Sequence, residues 1–170
     1  MEKSIEKNSG LAALFLDELK ELYGAEQHQT MILPLLKKAA SSLQLQSVLA
    51  NHLDHTRDQI TRLEEIFTIL GEASQTRQSE AILSIGHEGE QVISETEKGT
   101  ATRDAGLILA AQKLEHYEIS AYGSLAQLAR TLEYDEVLDL LETTLFEEKE
   151  TDDLLTSLAE NYINTAASRE

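Results

Sequence analysis

The sequence has no cysteine and no tryptophan, and a single proline among its 170 residues. Without cysteine there are no disulfides, no thiolate metal sites and no cysteine nucleophile, a composition that suits a reducing compartment. Its eight glycines form no phosphate-cradling loop, so no nucleotide cofactor is indicated. No apolar run approaches the roughly 20 residues that span a bilayer, and the polar start of the chain lacks the apolar stretch of a secretory signal. Positive charge is scarce as well: 14 Lys and Arg stand against 31 Asp and Glu, a net charge of −17. Such a surface repels nucleic-acid phosphates and anionic lipids, which argues against DNA protection and membrane attachment. The expectation is a cytoplasmic protein that binds neither nucleic acid nor membrane.

What the chain does have is Ala, Leu, Glu, Gln and Lys in abundance, and its apolar residues recur at helical spacing with no strand-like alternation. This pattern predicts long helices over about 11–41, 44–70, 102–131 and 135–162, and a short one over 79–97. Residues 1–10 are expected to be flexible and 164–170 frayed, around one domain spanning 11–163. Gly71 is placed to cap the second helix, and Thr100 or Thr102 to open the third long one. Two helical hairpins joined by a long crossover predict an all-α, ferritin-like four-helix bundle with a short fifth helix in the crossover. Pro34 inside the first helix predicts a kink, the alternative being a break there. The short helix carries Ile82, Leu83, Ile85, Val92 and Ile93, suited to covering a bundle end or a dimer interface.

Alternating steps of three and four give each long helix an inward stripe. The first runs Ala12, Phe15, Leu19, Leu22, Glu26, Gln29, Leu33, Leu36, Ala40. The second runs Leu45, Leu49, His52, Thr56, Gln59, Leu63, Ile66, Leu70, with His55 beside Thr56. The third runs Ile108, Ala111, Glu115, Glu118, Tyr122, Leu125, Ala129, and the fourth Leu141, Thr144, Glu148, Thr151, Leu155, Leu158, Tyr162. Every stripe is apolar at both ends and polar in the middle. One polar residue in a stripe is ordinarily a hydrogen-bonded core residue, but four interruptions at matching depth call for a common cause. Buried carboxylates need compensating positive charge. Two divalent ions held by Glu26, His52, His55, Glu115, Glu118 and Glu148 would supply it, close to the ligand inventory of di-iron and di-manganese bundles. His52-x-x-His55 and Glu115-x-x-Glu118 each put two side chains on one face. Asp152, four residues after Glu148, is placed to orient a ligand, and Tyr122 to donate a hydrogen bond to one.

At these residues the sequence resembles the YciF/YciE family of ferritin-like bacterial stress-associated proteins. The resemblance is carried by Tyr23-Gly24-Ala25-Glu26, by His52-Leu53-Asp54-His55-Thr56 with Gln59 and Arg62-Leu63-Glu64, and by Glu147-Glu148-Lys149-Glu150-Thr151-Asp152. Its longest stretch runs from Ala110 through Gln112-Lys113-Leu114-Glu115-His116-Tyr117-Glu118 to Tyr122-Gly123. It implies a four-helix ferritin-like fold, a homodimer, a pair of Fe or Mn ions in the bundle, and a role in stress or peroxide handling. Glu26, His52, Glu115, Glu118 and Glu148 would inherit ligand roles. His55 departs from the family pattern, which often has a carboxylate there; imidazole is neutral, does not bridge, and leaves the site less anionic.

Two functions remain open from the sequence. One is an oxidoreductase in which the metals handle peroxide or oxygen. The other is a non-enzymatic bundle that buffers metal or binds a partner around a metal-free polar core. A ferritin-style iron store, which needs a closed cage of many subunits, is the weaker third.

Overall fold

The computed structural model describes residues 9–170, and every element among them is helical. Helix α1 spans Gly10–Ala39, α2 Leu43–Leu70, α3 Glu80–Glu95, α4 Ala101–Thr131 and α5 Asp135–Leu158. A π-helical turn, Ala159–Ile163, then leads into the short α6, Asn164–Ala167. The chain is a ferritin-like bundle: hairpins α1–α2 and α4–α5 pack together, with α1 also against α4 and α2 against α5. Most of the N-terminal segment expected to be flexible, residues 1–8, lies outside the described residues.

The helix ends have local causes. The Ser9, Ser42 and Thr100 hydroxyls accept from the backbone N–H three residues on and so cap α1, α2 and α4. Gly71 closes α2 in the left-handed conformation, φ 73°, where a side chain would be strained. The tight α1–α2 connection is clamped from across the bundle. Asp104 of α4, 2% exposed, accepts from the Ser41 N–H at 2.7 Å, the Ser41 hydroxyl at 2.6 Å and the Ser42 N–H at 2.8 Å.

Pro34 sits on the exposed face of α1, which runs through it without interruption. The helix therefore does not break there. The crossover lies close against α1: the Arg77 N–H donates to the Lys20 carbonyl at 2.9 Å, and the Arg77 carbonyl occupies the place a side chain at Gly24 would need. Helix α3 lies on the flank formed by α1 and α4, with Ile82 buried.

One expectation at the C-terminus changes. The π turn inserts a residue into the α5 register, so Ile163 turns inward and Tyr162, expected in the stripe, is 68% exposed. Residues Asn164–Ala167 are helical, and the Glu170 carboxylate accepts from the Ala101 and Thr102 N–H groups at 2.8 and 2.9 Å.

The core is divided. One apolar cluster, around Phe15, Leu19, Phe67, Leu125 and Leu141, fills the end where α1 begins. A second, around Leu33, Leu36, Leu45, Leu49, Ile108 and Leu155, fills the other. Between them all four long helices contribute polar side chains.

Candidate metal centre

The polar layer is built as the stripes predict. Glu26 and Gln29 on α1, His52, Thr56 and Gln59 on α2, Glu115 and Glu118 on α4, and Thr144 and Glu148 on α5 are all within 1% of complete burial. One donor atom each from His52, Glu115, Glu118 and Glu148 lies within 4.8 Å of the others. His52 Nδ1 is 2.7 Å from Glu115 Oε1, and its Nε2 is 3.8 Å from both Glu118 and Glu148. Glu26 stands beside this group, accepting from the Tyr122 hydroxyl at 2.5 Å and feeling the charge of Glu148.

Two of the predicted positions behave differently. His55 is exposed and lies over a shallow surface depression with Asp139, Glu142, Phe146 and Glu150, outside the layer. The reason is register: the buried face of α2 alternates steps of three and four through Leu49, His52, Thr56 and Gln59, and a second consecutive step of three, from His52 to His55, falls off that face. The site therefore has one imidazole where two were expected. Asp152 is half-buried and accepts from the Gln112 side chain at 3.2 Å, with exposed His116 at 3.3 Å. It acts on the layer only through its charge, which helps push the Glu115 carboxyl up. Tyr122, by contrast, reaches a carboxylate as expected.

Two amides escaped the sequence reading as site groups. Gln29 donates its Nε2 to Glu118, and Gln59 donates to Glu148 and, at 3.2 Å, to Glu147. Both stood in the predicted stripes, so burial was foreseeable; their aim at carboxylates needed the three-dimensional arrangement. Glu147 is half-buried and paired with Arg62 through two contacts of 2.6 Å, which roofs the layer between α2 and α5.

Electrostatically the layer is under stress. Burial is the largest cause for all four carboxyls, raising Glu26, Glu115 and Glu148 to about 8 and Glu118 well above the ordinary 4.5. Burial also lowers His52, which favours the neutral ring. His52 and Glu115 are thus a close approach of two donor groups, with no hydrogen-bond alignment between them. Among the described residues nine buried side-chain N and O atoms have no hydrogen-bond partner, and every one belongs to Glu26, Gln29, His52, Gln59, Glu115, Glu118 or Glu148. Orphaned polar atoms in a protein interior are rare and costly, and here they converge on one group of side chains that could hold a metal ion. Carboxylate oxygens with a neutral imidazole are a donor set for hard or borderline divalent ions, and the residues fit such a group. A surface groove near the start of α1 shares no residue with this layer.

Comparison with known proteins agrees with this architecture. Residues 10–168 match the family described as a domain of unknown function, DUF892. The chain is 41% identical to protein YciF of Escherichia coli K12 over 155 residues, 91% of this chain and 93% of YciF. The crystal structure of that E. coli stress protein superposes with a TM-score of 0.87, covering 92% of this chain and 98% of YciF. YcfI of Rhodopseudomonas palustris, proposed to be a structural protein, is 32% identical with a TM-score of 0.85, over 90% of this chain and 98% of its own. A Xanthomonas campestris protein at 17% identity shares the fold, with a TM-score of 0.73 over 95% of this chain and 98% of its own.

Proposed function

The chain belongs to the DUF892 family that includes YciF, and from that membership and the buried cluster we propose a ferritin-like di-metal carboxylate protein that handles peroxide or oxygen under stress. The observation that carries this reading is the set of orphaned donor atoms converging from four helices between two apolar clusters. An Fe or Mn pair, when bound, supplies the change of oxidation state that reducing peroxide or oxygen requires.

The protein's own groups have separable roles in this reading. Glu26, Glu115, Glu118 and Glu148 provide the negative charge that holds the ions, and neutral His52 provides a nitrogen donor. The Tyr122 hydroxyl orients Glu26 and keeps an O–H beside the site. The apolar clusters on either side exclude water, which strengthens every charge interaction in the layer. The stress role, the homodimer and a cytoplasmic location belong to the same proposal; among the described residues no helix is long and apolar enough to cross a membrane.

The test is metal content per chain after anaerobic reconstitution with Fe(II) or Mn(II) and desalting, followed by hydrogen peroxide consumption. About two ions per chain are expected, lost in Glu115→Ala and Glu148→Ala, with peroxide turnover following the metal. No retained metal overturns the proposal and favours a non-enzymatic bundle. Full loading without turnover of peroxide or oxygen leaves a metal-buffering protein in its place.

A further inference from the structure

Gln29 on α1 and Gln59 on α2 are completely buried in the layer. Each points its Nε2 at a carboxylate, Glu118 and Glu148 respectively, and leaves its Oε1 buried without a partner. The two pairs have the same sequence separation, 89 residues, and that offset also relates Glu26 to Glu115. The α1–α2 hairpin is thus laid out like the α4–α5 hairpin. Gln29 and Gln59 occupy the first-hairpin positions that the second hairpin fills with Glu118 and Glu148. An amide has the shape of a carboxylate without its charge, and facing a carboxylate it must present its N–H.

We propose that Gln29 and Gln59 limit the charge of the site, holding it at four carboxylates and so matching it to two divalent cations in preference to ions of higher charge. The inference rests on the metal-binding reading above. Four ionised carboxylates and two divalent ions cancel, and with His52 neutral the layer then carries no net charge, the least costly state so far from water. A carboxylate in place of either glutamine leaves one negative charge over, which a trivalent ion would neutralise. Loss of one electron by a divalent ion leaves the native layer with one positive charge over. The glutamines therefore bias the site toward its reduced, divalent form, and they are positioning residues for Glu118 and Glu148.

The test is the midpoint potential of the iron-loaded full chain, in a reductive titration with dithionite, each ferric ion gaining one electron to become ferrous. Gln29→Glu and Gln59→Glu are each expected to raise the ferric-to-ferrous ratio at a given potential about tenfold or more, equivalent to lowering the midpoint by about 59 mV per tenfold. The double variant Gln29→Glu/Glu26→Gln keeps the number of buried carboxylates, and its midpoint is expected to return toward that of the unmodified protein. If Gln29→Glu does not fold, Gln59→Glu and the double variant carry the test. Folded, iron-bound variants with an unchanged midpoint overturn the assignment, as does a double variant that stays with the single one. An unmodified protein that retains no iron refutes the metal reading itself, so the two failures are distinguishable.

Discussion

Stripped of metal by a chelator, the protein is expected to unfold more easily near pH 8 than near pH 5. Burial raises Glu26, Glu115 and Glu148 from 4.5 to about 8, and Glu118 in the same direction. A carboxyl whose value is higher in the folded chain contributes stability that is complete below 4.5 and is lost as the pH rises through 8. At about 1.4 kcal/mol per tenfold in acidity, ionising one such group in the fold costs about 5 kcal/mol, comparable with the whole stability of many domains. His52 works at the other end: its lowered value contributes stability present above 6.5 and lost as the pH falls. Saturating Mn(II) is expected to reverse the slope, because the ligands bind metal only when deprotonated. Urea unfolding followed by circular dichroism, with chelator and with Mn(II), measures both slopes. The high negative charge of the surface also disfavours alkaline conditions, so the decisive comparison is Glu118→Gln with the exposed Glu65→Gln. Glu118→Gln should flatten the metal-free slope and stabilise the metal-free chain near pH 8. A metal-free stability that is level or rises with pH refutes the reasoning, as does a surface variant that flattens the slope equally.

Three further outcomes follow from named contacts. His55→Ala is expected to leave metal content unchanged and stability within about 0.5 kcal/mol, since the ring is exposed outside the layer. Loss of metal in that variant would restore His55 as a ligand. Tyr122→Phe removes the 2.5 Å hydrogen bond to Glu26 and is expected to weaken Mn(II) affinity about tenfold, measured by competition with a chelating dye. Asp104→Ala takes three hydrogen bonds from the α1–α2 connection, and a loss of about 3 kcal/mol in urea unfolding is expected, with metal content retained.

The bundle was readable from the sequence because its long helices are amphipathic at one period throughout. Stripe positions from Ala12 to Ala40, and from Leu45 to Ile66, are buried as the spacing predicts. The buried polar layer was readable for the same reason: Glu26, His52, Glu115, Glu118 and Glu148 interrupt their stripes at one depth. His55 was misplaced because pairing it with His52 by a step of three is compatible with helical spacing, while the stripe itself already passed through Thr56. Tyr162 was misplaced because a π turn changes the register, and nothing in the local composition announces one. The aims of Gln29, Gln59 and Arg62 depend on which helices face each other, information that a single stripe does not contain.

The divided core has a consequence for how the molecule holds together. The two apolar clusters have no residue in common; they are joined by the four long helices and by the layer those helices carry. Cooperative unfolding of the two ends is then transmitted through that layer. When its carboxyls repel one another, the bundle behaves as two half-proteins on common struts, and amides in the weaker half exchange with solvent before those in the stronger. A cation seated between them, as proposed, would tie the halves into one cooperative unit, and occupancy of the centre would then be registered along the full length of every long helix.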